Sequence, residues 1–81
     1  MKFQYVYMIR SEKNPQRYYI GMSDDLKSRL KNHNQGLCKY TSKFIPWQIE
    51  TAIAFSSFNK ALAFEKYLKS RSGHAFAKKH F

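Results

Sequence analysis

Apolar and aromatic residues dominate two short runs near the start of the chain, 3–9 and 17–21, and a polar segment, 11–16, lies between them. The first run mixes aromatic and β-branched residues over the length of a strand, and the polar segment has the composition of a turn. The pattern therefore predicts an antiparallel hairpin. A period of two places Tyr7 and Tyr19 where they can meet on the same face of that hairpin.

A third strand is predicted after Pro46. Residues 47–55 alternate between larger apolar and smaller or polar side chains, which is the pattern of a strand with one apolar and one mixed face. The segment before it, 37–45, has no clean period and contains two lysines, so we expect a basic loop. The predicted apolar face of the third strand consists of Trp47, Ile49, Thr51, Ile53 and Phe55.

Between the hairpin and this loop, the pattern predicts a helix. Ser23 is the expected N-cap, with Asp24 and Asp25 in a first turn favoured by the helix dipole. Gly36 is the expected left-handed residue at the C-terminal end. The spacing i, i+3, i+4, i+7 puts four residues on one face, namely Leu26, Arg29, Leu30 and His33.

Arg29 and His33 lie one turn apart on that half-buried face. A guanidinium and an imidazole in this arrangement can form a pocket for a phosphate group. The alternative is a surface helix whose polar residues lie at the rim of the apolar stripe, where arginine often extends its stem along the rim. The helix alone does not decide between the two interpretations.

A second helix is predicted from residue 60 to residue 71, with N-cap candidates at 56–59. Its inward face contains Glu65 among apolar residues, and a buried carboxylate is costly unless it meets a cation or a metal. The alternative is an i, i+4 ion pair with Lys69 at a partly exposed helix edge. Residues 70–73 are expected to end this helix, and one or two further helical turns are expected within 74–81.

Composition defines the class of protein. A chain of 81 residues has the length of a single domain, 1–81, and 43% hydrophobic residues are enough for a packed core. The elements predict an α+β fold, a small three-stranded antiparallel sheet flanked by helices. The net charge of +10 favours a polyanionic partner, with nucleic acid as the default. A basic protein without such a partner is the alternative.

The cysteine and histidine content limits the kinds of covalent link and metal site that the chain can form. A single cysteine, Cys38, excludes an internal disulfide, and three widely spaced histidines do not have zinc-ligand spacing. The short apolar run near the N-terminus is too short for a signal sequence or a membrane span. We therefore expect a cytoplasmic protein with no membrane association.

Five residues together have the groups that phosphodiester hydrolysis requires: a base for water, a positive charge for the phosphorane and help for the leaving oxygen. A tyrosine serves as the base only if a nearby cation or metal lowers its pKa from about 10. A single carboxylate suits an Mg²⁺-like ion, which retains waters and takes phosphate oxygens as further ligands. The five candidates are Tyr7, Tyr19, Arg29, His33 and Glu65.

These positions coincide with the motifs of a known family. The chain resembles the GIY-YIG nucleases, in particular the small stand-alone bacterial proteins related to the nuclease domain of the excision-repair endonuclease. The two signatures are 5–7 (Tyr-Val-Tyr) and 19–21 (Tyr-Ile-Gly), followed by the arginine helix in 25–36. Residues 40–43 together with 46–47, and then residues 63–70, are similar to the continuation in the small members.

The resemblance implies a role for each candidate and a single divalent metal, Mg²⁺ or Mn²⁺. Tyr7 would orient or deprotonate the attacking water, and Tyr19 would help to hold Tyr7 and the phosphate. Arg29 would stabilise the pentavalent phosphate, His33 would contact the water or the phosphate, and Glu65 would bind the metal. Two positions depart from the pattern: Tyr5 replaces the glycine of the first signature, and Met22 replaces a lysine that some members have.

The sequence thus predicts a metal-dependent DNA endonuclease, with branched, flapped or damaged DNA as candidate substrates, a link to repair or recombination, and a protein partner as one source of specificity. The alternative is a nucleic-acid-binding module with little or no turnover. A third interpretation, a recruitment protein for another chain, depends on Phe76 and Phe81. The residues expected to bind phosphates are Lys39, Lys43, Lys69, Arg71, Lys78 and Lys79.

Overall fold

The first two strands form the predicted antiparallel hairpin. In the computed structural model, which describes residues 2–81, β1 spans Gln4–Ser11 and β2 spans Tyr18–Ser23. The Ser11 N–H donates to the Arg17 carbonyl at 3.0 Å and closes the turn. Tyr7 lies opposite Gly21 in the register of this hairpin.

The third strand, β3, spans Trp47–Phe55 and pairs antiparallel with β1, so the sheet order is β2-β1-β3 and β1 is central. The pairing contains a bulge: Met8 lies opposite Thr51 and Ile9 opposite Ile49, which leaves Glu50 as an extra residue. The predicted uniform apolar face of β3 is therefore wrong. Because the bulge reverses the alternation, Trp47 and Phe55 pack in different hydrophobic clusters.

The first helix, α1, spans Leu26–Asn34, shorter than its pattern predicts. Asp25 is the N-cap, since its side chain accepts the Ser28 N–H at 3.1 Å, and the predicted cap at Ser23 is wrong. The Ser23 hydroxyl instead bonds the backbone of Asp25. Gly36 has a φ of +78°, the expected left-handed residue after the helix.

The C-terminal part of the chain is more helical than its pattern predicts. Helix α2 spans Phe58–Leu68 with Ser57 as its N-cap, and α3 spans Arg71–His80 with Ser70 as its N-cap. Gly73 permits the sharp junction between the helices, because a Cβ at this position would overlap the Tyr67 carbonyl. A single glycine thus lets α3 fold back onto α2.

The helices cover the two faces of the sheet. On one face, which we call the α1 face, Tyr7, Ile9 and Trp47 form a buried cluster against which Leu26 and Leu30 of α1 pack. On the opposite face, which we call the α3 face, side chains of α2 and α3 complete the second cluster around Val6, Met8 and Ile20. The predicted α+β architecture of a three-stranded antiparallel sheet with flanking helices is confirmed.

Candidate active site

Tyr7 is the centre of the candidate site, and the central strand buries it almost completely, with 2% of its surface exposed. Its neighbour across the hairpin is Gly21, and a Cβ at that position would lie 2.6 Å from Tyr7 Cζ and overlap the hydroxyl. The glycine of the second signature is therefore a steric requirement, because the Tyr7 ring occupies the space that a side chain at this position would fill.

The Tyr7 hydroxyl contacts both predicted residues of α1. It lies 2.9 Å from His33 Nε2, and it accepts a hydrogen bond from Arg29 Nε at 3.3 Å. His33 is completely buried, and the i, i+4 spacing on α1 brings its ring and the Arg29 guanidinium to the same oxygen. The predicted common face of Arg29 and His33 therefore lies against β1, with both side chains at the Tyr7 hydroxyl.

A fourth residue, Thr41, extends the chain of hydrogen bonds. Its buried hydroxyl lies 2.8 Å from His33 Nδ1 and 3.3 Å from the Cys38 carbonyl, to which it donates. Because its one proton is used on the carbonyl, the hydroxyl accepts from His33 Nδ1–H. His33 Nε2 is then the acceptor, and Tyr7 donates its proton to it.

Burial sets the protonation states of the two titratable residues at the centre of this series of hydrogen bonds, Tyr7 and His33. Burial raises the pKa of Tyr7 above its ordinary value of 10.0, although the hydrogen bond and the positive charge of Arg29 act in the opposite direction. The lowered pKa expected of a tyrosine base is therefore absent, and Tyr7 can take a proton only while it gives its own proton to His33. Burial, followed by the Arg29 charge, lowers the pKa of His33 below 6.5. At neutral pH the tyrosine is therefore protonated and the imidazole is neutral, which is the arrangement needed for proton transfer from oxygen to nitrogen.

The loop 37–45 is anchored so that Thr41 keeps its position. Trp47 Nε1 donates to the Thr41 carbonyl at 2.8 Å, and Asn34 forms two hydrogen bonds with the backbone of Trp47. Sequence reasoning did not identify Thr41 or Asn34 as site residues. A threonine and an asparagine in polar segments have no distinguishing pattern, and Thr41 was recognised only as part of the family resemblance.

Tyr19 and Glu65 approach the same region from β2 and α2. The ring centroid of Tyr19 lies 5.2 Å from that of His33, and Lys69 Nζ lies 5.7 Å from the centroid of the Tyr19 ring. Lys69 also forms an ion pair with Glu65 at 3.1 Å, the i, i+4 pair considered as the alternative role for this carboxylate. The structure thus brings Tyr7, Tyr19, Arg29 and His33 together, and Glu65 is connected to them through Lys69.

The family of the chain follows from comparison with known proteins. The family model described as the GIY-YIG catalytic domain matches residues 3–79. The chain belongs to the GIY-YIG family. The hairpin contains both signatures, and its Tyr7 and Tyr19 lie on the α1 face with the arginine helix, as the resemblance implies.

Similar small bacterial GIY-YIG proteins have the name UPF0213 protein. The chain is 36% identical over 66 residues to the one from Streptococcus pneumoniae serotype 4, which is 80% of this chain and 67% of that protein. It is 34% identical over 58 residues to the one from Lacticaseibacillus paracasei, which is 70% and 65% of the two chains. The chain therefore spans about two thirds of the length of these relatives.

A divalent metal is an expectation from the GIY-YIG resemblance, and the residues present allow a limited site. Within residues 2–81, no three His, Cys, Asp or Glu side chains converge on one point. Glu65 supplies one carboxylate with only 16% of its side chain exposed, and Lys69 is paired with it. A lone carboxylate fits a hard ion that retains its waters and takes phosphate oxygens. Glu65 is therefore a feasible ligand if Lys69 releases it.

Beside Arg29, a cleft of about 250 Å³ opens to the surface, lined also by His33 and Cys38. Burial opposes ionisation of the Cys38 thiol, but hydrogen bonds from the backbone of Thr41 and Tyr40, together with the Arg29 charge, act in the opposite direction, and the thiol pKa is lowered. The positive charge beside this cleft is the Arg29 guanidinium, a group that can bind a phosphate.

The predicted phosphate-binding residues are all exposed and lie in two regions of the GIY-YIG domain. Lys39 and Lys43 line a hollow of about 490 Å³ together with Arg17, whose guanidinium lies 4.9 Å from the centroid of the Phe44 ring. The others lie on α3 or just before it, namely Lys69, Arg71, Lys78 and Lys79. No helix in the described part, residues 2–81, is long and apolar enough to cross a membrane.

Proposed function

We propose that this GIY-YIG protein is a metal-dependent endonuclease that hydrolyses DNA phosphodiester bonds, with Tyr7 as its general base. The observation that carries the proposal is the continuous chain of hydrogen bonds from Arg29 through Tyr7 and His33 to Thr41. Through this chain the Tyr7 hydroxyl is aligned to pass its proton to a neutral imidazole, while Arg29 donates to the same oxygen.

The chemistry of the first step follows from this alignment. A water at the phosphate gives a proton to the Tyr7 oxygen while the original Tyr7 proton moves to His33 Nε2, 2.9 Å away. The water oxygen forms a bond to phosphorus, the bond to the leaving oxygen breaks, and that oxygen takes a proton from solvent. His33 holds one extra proton until it returns it through Tyr7 to solvent.

Arg29 acts on both charges that develop. Its Nε already donates to the Tyr7 oxygen, so the guanidinium stabilises negative charge on that atom, and its cleft faces solvent where a phosphate can approach. The hydrogen bond to Tyr7 also raises the pKa of Arg29, so it stays positively charged throughout. Arg29 therefore connects the base to the phosphorane.

The proposed metal ligand is Glu65, and Mg²⁺ or Mn²⁺ there would supply positive charge to the phosphate oxygens. Lys69 moves from the carboxylate in this proposal, and the ring of Tyr19 lies beside it. Tyr19 packs against His33 and keeps that ring aligned with Tyr7, and its hydroxyl is the group we assign to the phosphate.

DNA is the proposed substrate because of the charge of +10 and the exposed lysines, among them Lys39 and Lys43 beside Arg17. Such a small domain offers little surface for direct contacts to base edges, so DNA shape, a branch, a flap or damage is the proposed basis of selection, with a role in repair or recombination. A protein partner is a further proposed source of specificity.

The test is cleavage of labelled linear, flapped and four-way-junction DNA, with single-stranded DNA and RNA beside them, in Mg²⁺, Mn²⁺ or chelator. We expect the wild type to cut and the chelator to abolish cutting. Glu65→Ala and Arg29→Ala should lose cleavage but keep DNA binding, while the matched control Glu12→Ala, which removes an exposed carboxylate in the turn, should cut like wild type.

A second candidate, a nucleic-acid-binding module with little turnover, is favoured by the ion pair of Lys69 with Glu65, since that pair occupies the proposed metal ligand. Cleavage assays separate the two. Binding of every substrate without cleavage of any in either metal would contradict the nuclease proposal and support the module.

A further inference from the structure

A cavity of about 670 Å³ lies on the α3 face of the sheet, away from the candidate active site, and nothing in the proposed reaction uses it. Met8 of β1 and Ala77 of α3 line its apolar floor, and both belong to the buried cluster of that face. The volume falls in the range of small-molecule sites, about 300–1,000 Å³. The cavity is therefore large enough for a nucleotide.

The rim of this cavity is polar and basic. Tyr18 and His74 form a hydrogen bond of 2.7 Å between the hydroxyl and Nδ1, and we call them the exposed pair. Lys78, one turn after His74 on α3, lines the same rim. The ion pairs within residues 2–81 include neither Lys78 nor His74. Their donors can therefore serve an anion.

Arg10 also lines the cavity, but its charge is partly used. Its Nε donates to Glu50 Oε2 at 2.7 Å, and its Nη1 donates to the Pro15 carbonyl at 2.7 Å. The guanidinium carbon lies 5.7 Å from the centroid of the Tyr18 ring, so Arg10 holds that ring in place. The mixture of an aromatic wall, an apolar floor and a basic rim matches a base attached to a phosphate.

A smaller hollow of about 200 Å³ adjoins the cavity at the edge strand β2. Tyr18 and His74 line both the cavity and this hollow, which Tyr19 and Lys69 line as well. Consecutive residues of a strand point to opposite faces, so Tyr18 and Tyr19 extend one aromatic surface from the α3 face to the α1 face. Tyr19 in turn packs against His33.

We propose that the cavity binds one unpaired nucleotide of the strand whose phosphodiester is cut at Tyr7, with its base on the Met8 and Ala77 floor and its phosphate at Lys78 and His74. The proposal rests on the proposed function, because it requires one nucleic-acid strand to contact the protein both at the cavity and at Tyr7. An unpaired nucleotide is required, since a base inside a duplex cannot enter a pocket.

Two variants test the cavity, each with a matched control. Ala75→Trp fills it from an exposed position on α3, and Ala63→Trp places the same ring at an exposed position on α2 outside it. Lys78→Glu reverses a rim charge, and Lys66→Glu makes the same change in net charge on α2. Circular dichroism and thermal unfolding establish that each variant is folded.

The first measurement is the affinity for a fluorescent single-stranded oligonucleotide in chelator, where no cleavage occurs. We expect Ala75→Trp and Lys78→Glu to weaken binding about tenfold relative to their controls, since stacking one base and losing one phosphate contact are effects of this size. Lys78→Glu should also reduce the slope of log affinity against log salt by about one, and Lys66→Glu should not.

The second measurement uses the same oligonucleotide with one abasic site placed at successive positions. For the wild type, one position should weaken binding about tenfold, and for Ala75→Trp that position should no longer matter. Equal affinities of both variants and their controls would overturn the proposal. If thymidine monophosphate perturbs the His74 resonances while DNA affinity is unchanged by the variants, the cavity binds a free nucleotide and the strand proposal is wrong.

The third measurement is the cleavage rate at saturating single-stranded DNA in Mg²⁺ or Mn²⁺. We expect the controls Ala63→Trp and Lys66→Glu to cut within about twofold of wild type, because neither residue lines the cavity or belongs to the hydrogen-bond chain at Tyr7. A wild type that binds through the cavity but cuts nothing would remove the nuclease proposal and leave the cavity assignment in place. If the wild type cuts DNA but the variants bind as tightly as their controls, the cavity assignment is wrong and the nuclease proposal stands.

Discussion

The two faces of the sheet each present a tyrosine hydrogen-bonded to a histidine, and the two pairs differ in almost everything else. Tyr7 and His33, the buried pair, are 2.9 Å apart with Arg29 on one side and Thr41 on the other. The exposed pair is 2.7 Å apart and borders a cavity open to solvent. The comparison teaches that residue types do not define a catalytic pair. For the buried pair, burial and the hydrogen bonds to Arg29 and Thr41 determine that the proton moves from Tyr7 to His33.

The largest expected difference between the pairs is in catalysis. Tyr7→Phe removes the proposed base and keeps the ring, so the cleavage rate should fall about 10²- to 10⁴-fold, the usual contribution of general acid–base catalysis. Tyr18→Phe removes the matching hydroxyl of the exposed pair and should leave the rate at saturating DNA within about twofold. Single-turnover cleavage in Mn²⁺ measures both. Equal losses in the two variants would refute the distinction.

The next effect comes from Gly21, which holds the space for the Tyr7 ring. Gly21→Ala places a methyl group on the Tyr7 hydroxyl, so we expect a cleavage rate about 10²-fold lower and a free energy of unfolding lower by about 1–3 kcal/mol. Gly36→Ala is the control: its φ of +78° strains any side chain, but a Cβ there has ordinary contacts. It should cost about 1–2 kcal/mol and keep most of the cleavage.

A smaller effect is expected at Thr41. Thr41→Val removes the hydroxyl that accepts His33 Nδ1–H, so the imidazole can rotate or change tautomer, and we expect about a tenfold slower reaction with a shifted pH profile. Ser42→Ala, which removes a neighbouring hydroxyl bonded to the Lys39 carbonyl, is the control and should leave the profile unchanged. A lower rate with an unchanged profile would assign Thr41 a structural role alone.

The smallest predicted effect is on the pH dependence of the free energy of unfolding. Because burial and the Arg29 charge lower the pKa of His33, the unfolded chain binds more protons than the folded one once the pH falls below 6.5, and the free energy of unfolding decreases. Because burial raises the pKa of Tyr7, the unfolded chain loses its phenolic proton first as the pH rises through 10.0, and stability decreases again.

Urea denaturation across pH measures both limbs of this profile. His33→Gln should flatten the acid limb and Tyr7→Phe the alkaline limb. An acid limb that is unchanged in His33→Gln would show that His33 is not held neutral by the fold.

Sequence patterns predicted the elements because each has a local signal. The hairpin follows from its polar turn, and the helix face with Arg29 and His33 follows from i, i+4 spacing. The bulge at Glu50 has no such signal, since the alternation in β3 continues through it and only the pairing with β1 reveals the change of face. The predicted cap at Ser23 failed because serine and aspartate are nearly equal as caps, and the choice depends on where α1 packs.

The candidate site was predictable to a similar extent. Tyr7, Tyr19, Arg29 and His33 lie together, as the signatures of the family imply. Thr41 was missed because its role depends on a loop of irregular structure, and the reason for Gly21 requires the register of the hairpin. Long-range contacts of this kind leave no periodic trace in a sequence.

The bulge at Glu50 also determines where the chain tolerates a change of length. Since Glu50 is the unpaired residue of β3, its removal would leave every remaining side chain of that strand opposite its present neighbour and on its present face. Removal of a residue nearer the end of the strand would turn the following side chains over, and Phe55 would leave the cluster of the α3 face. A strand shortened at Glu50 would lack only the carboxylate that holds Arg10, whose full charge would then face the cavity.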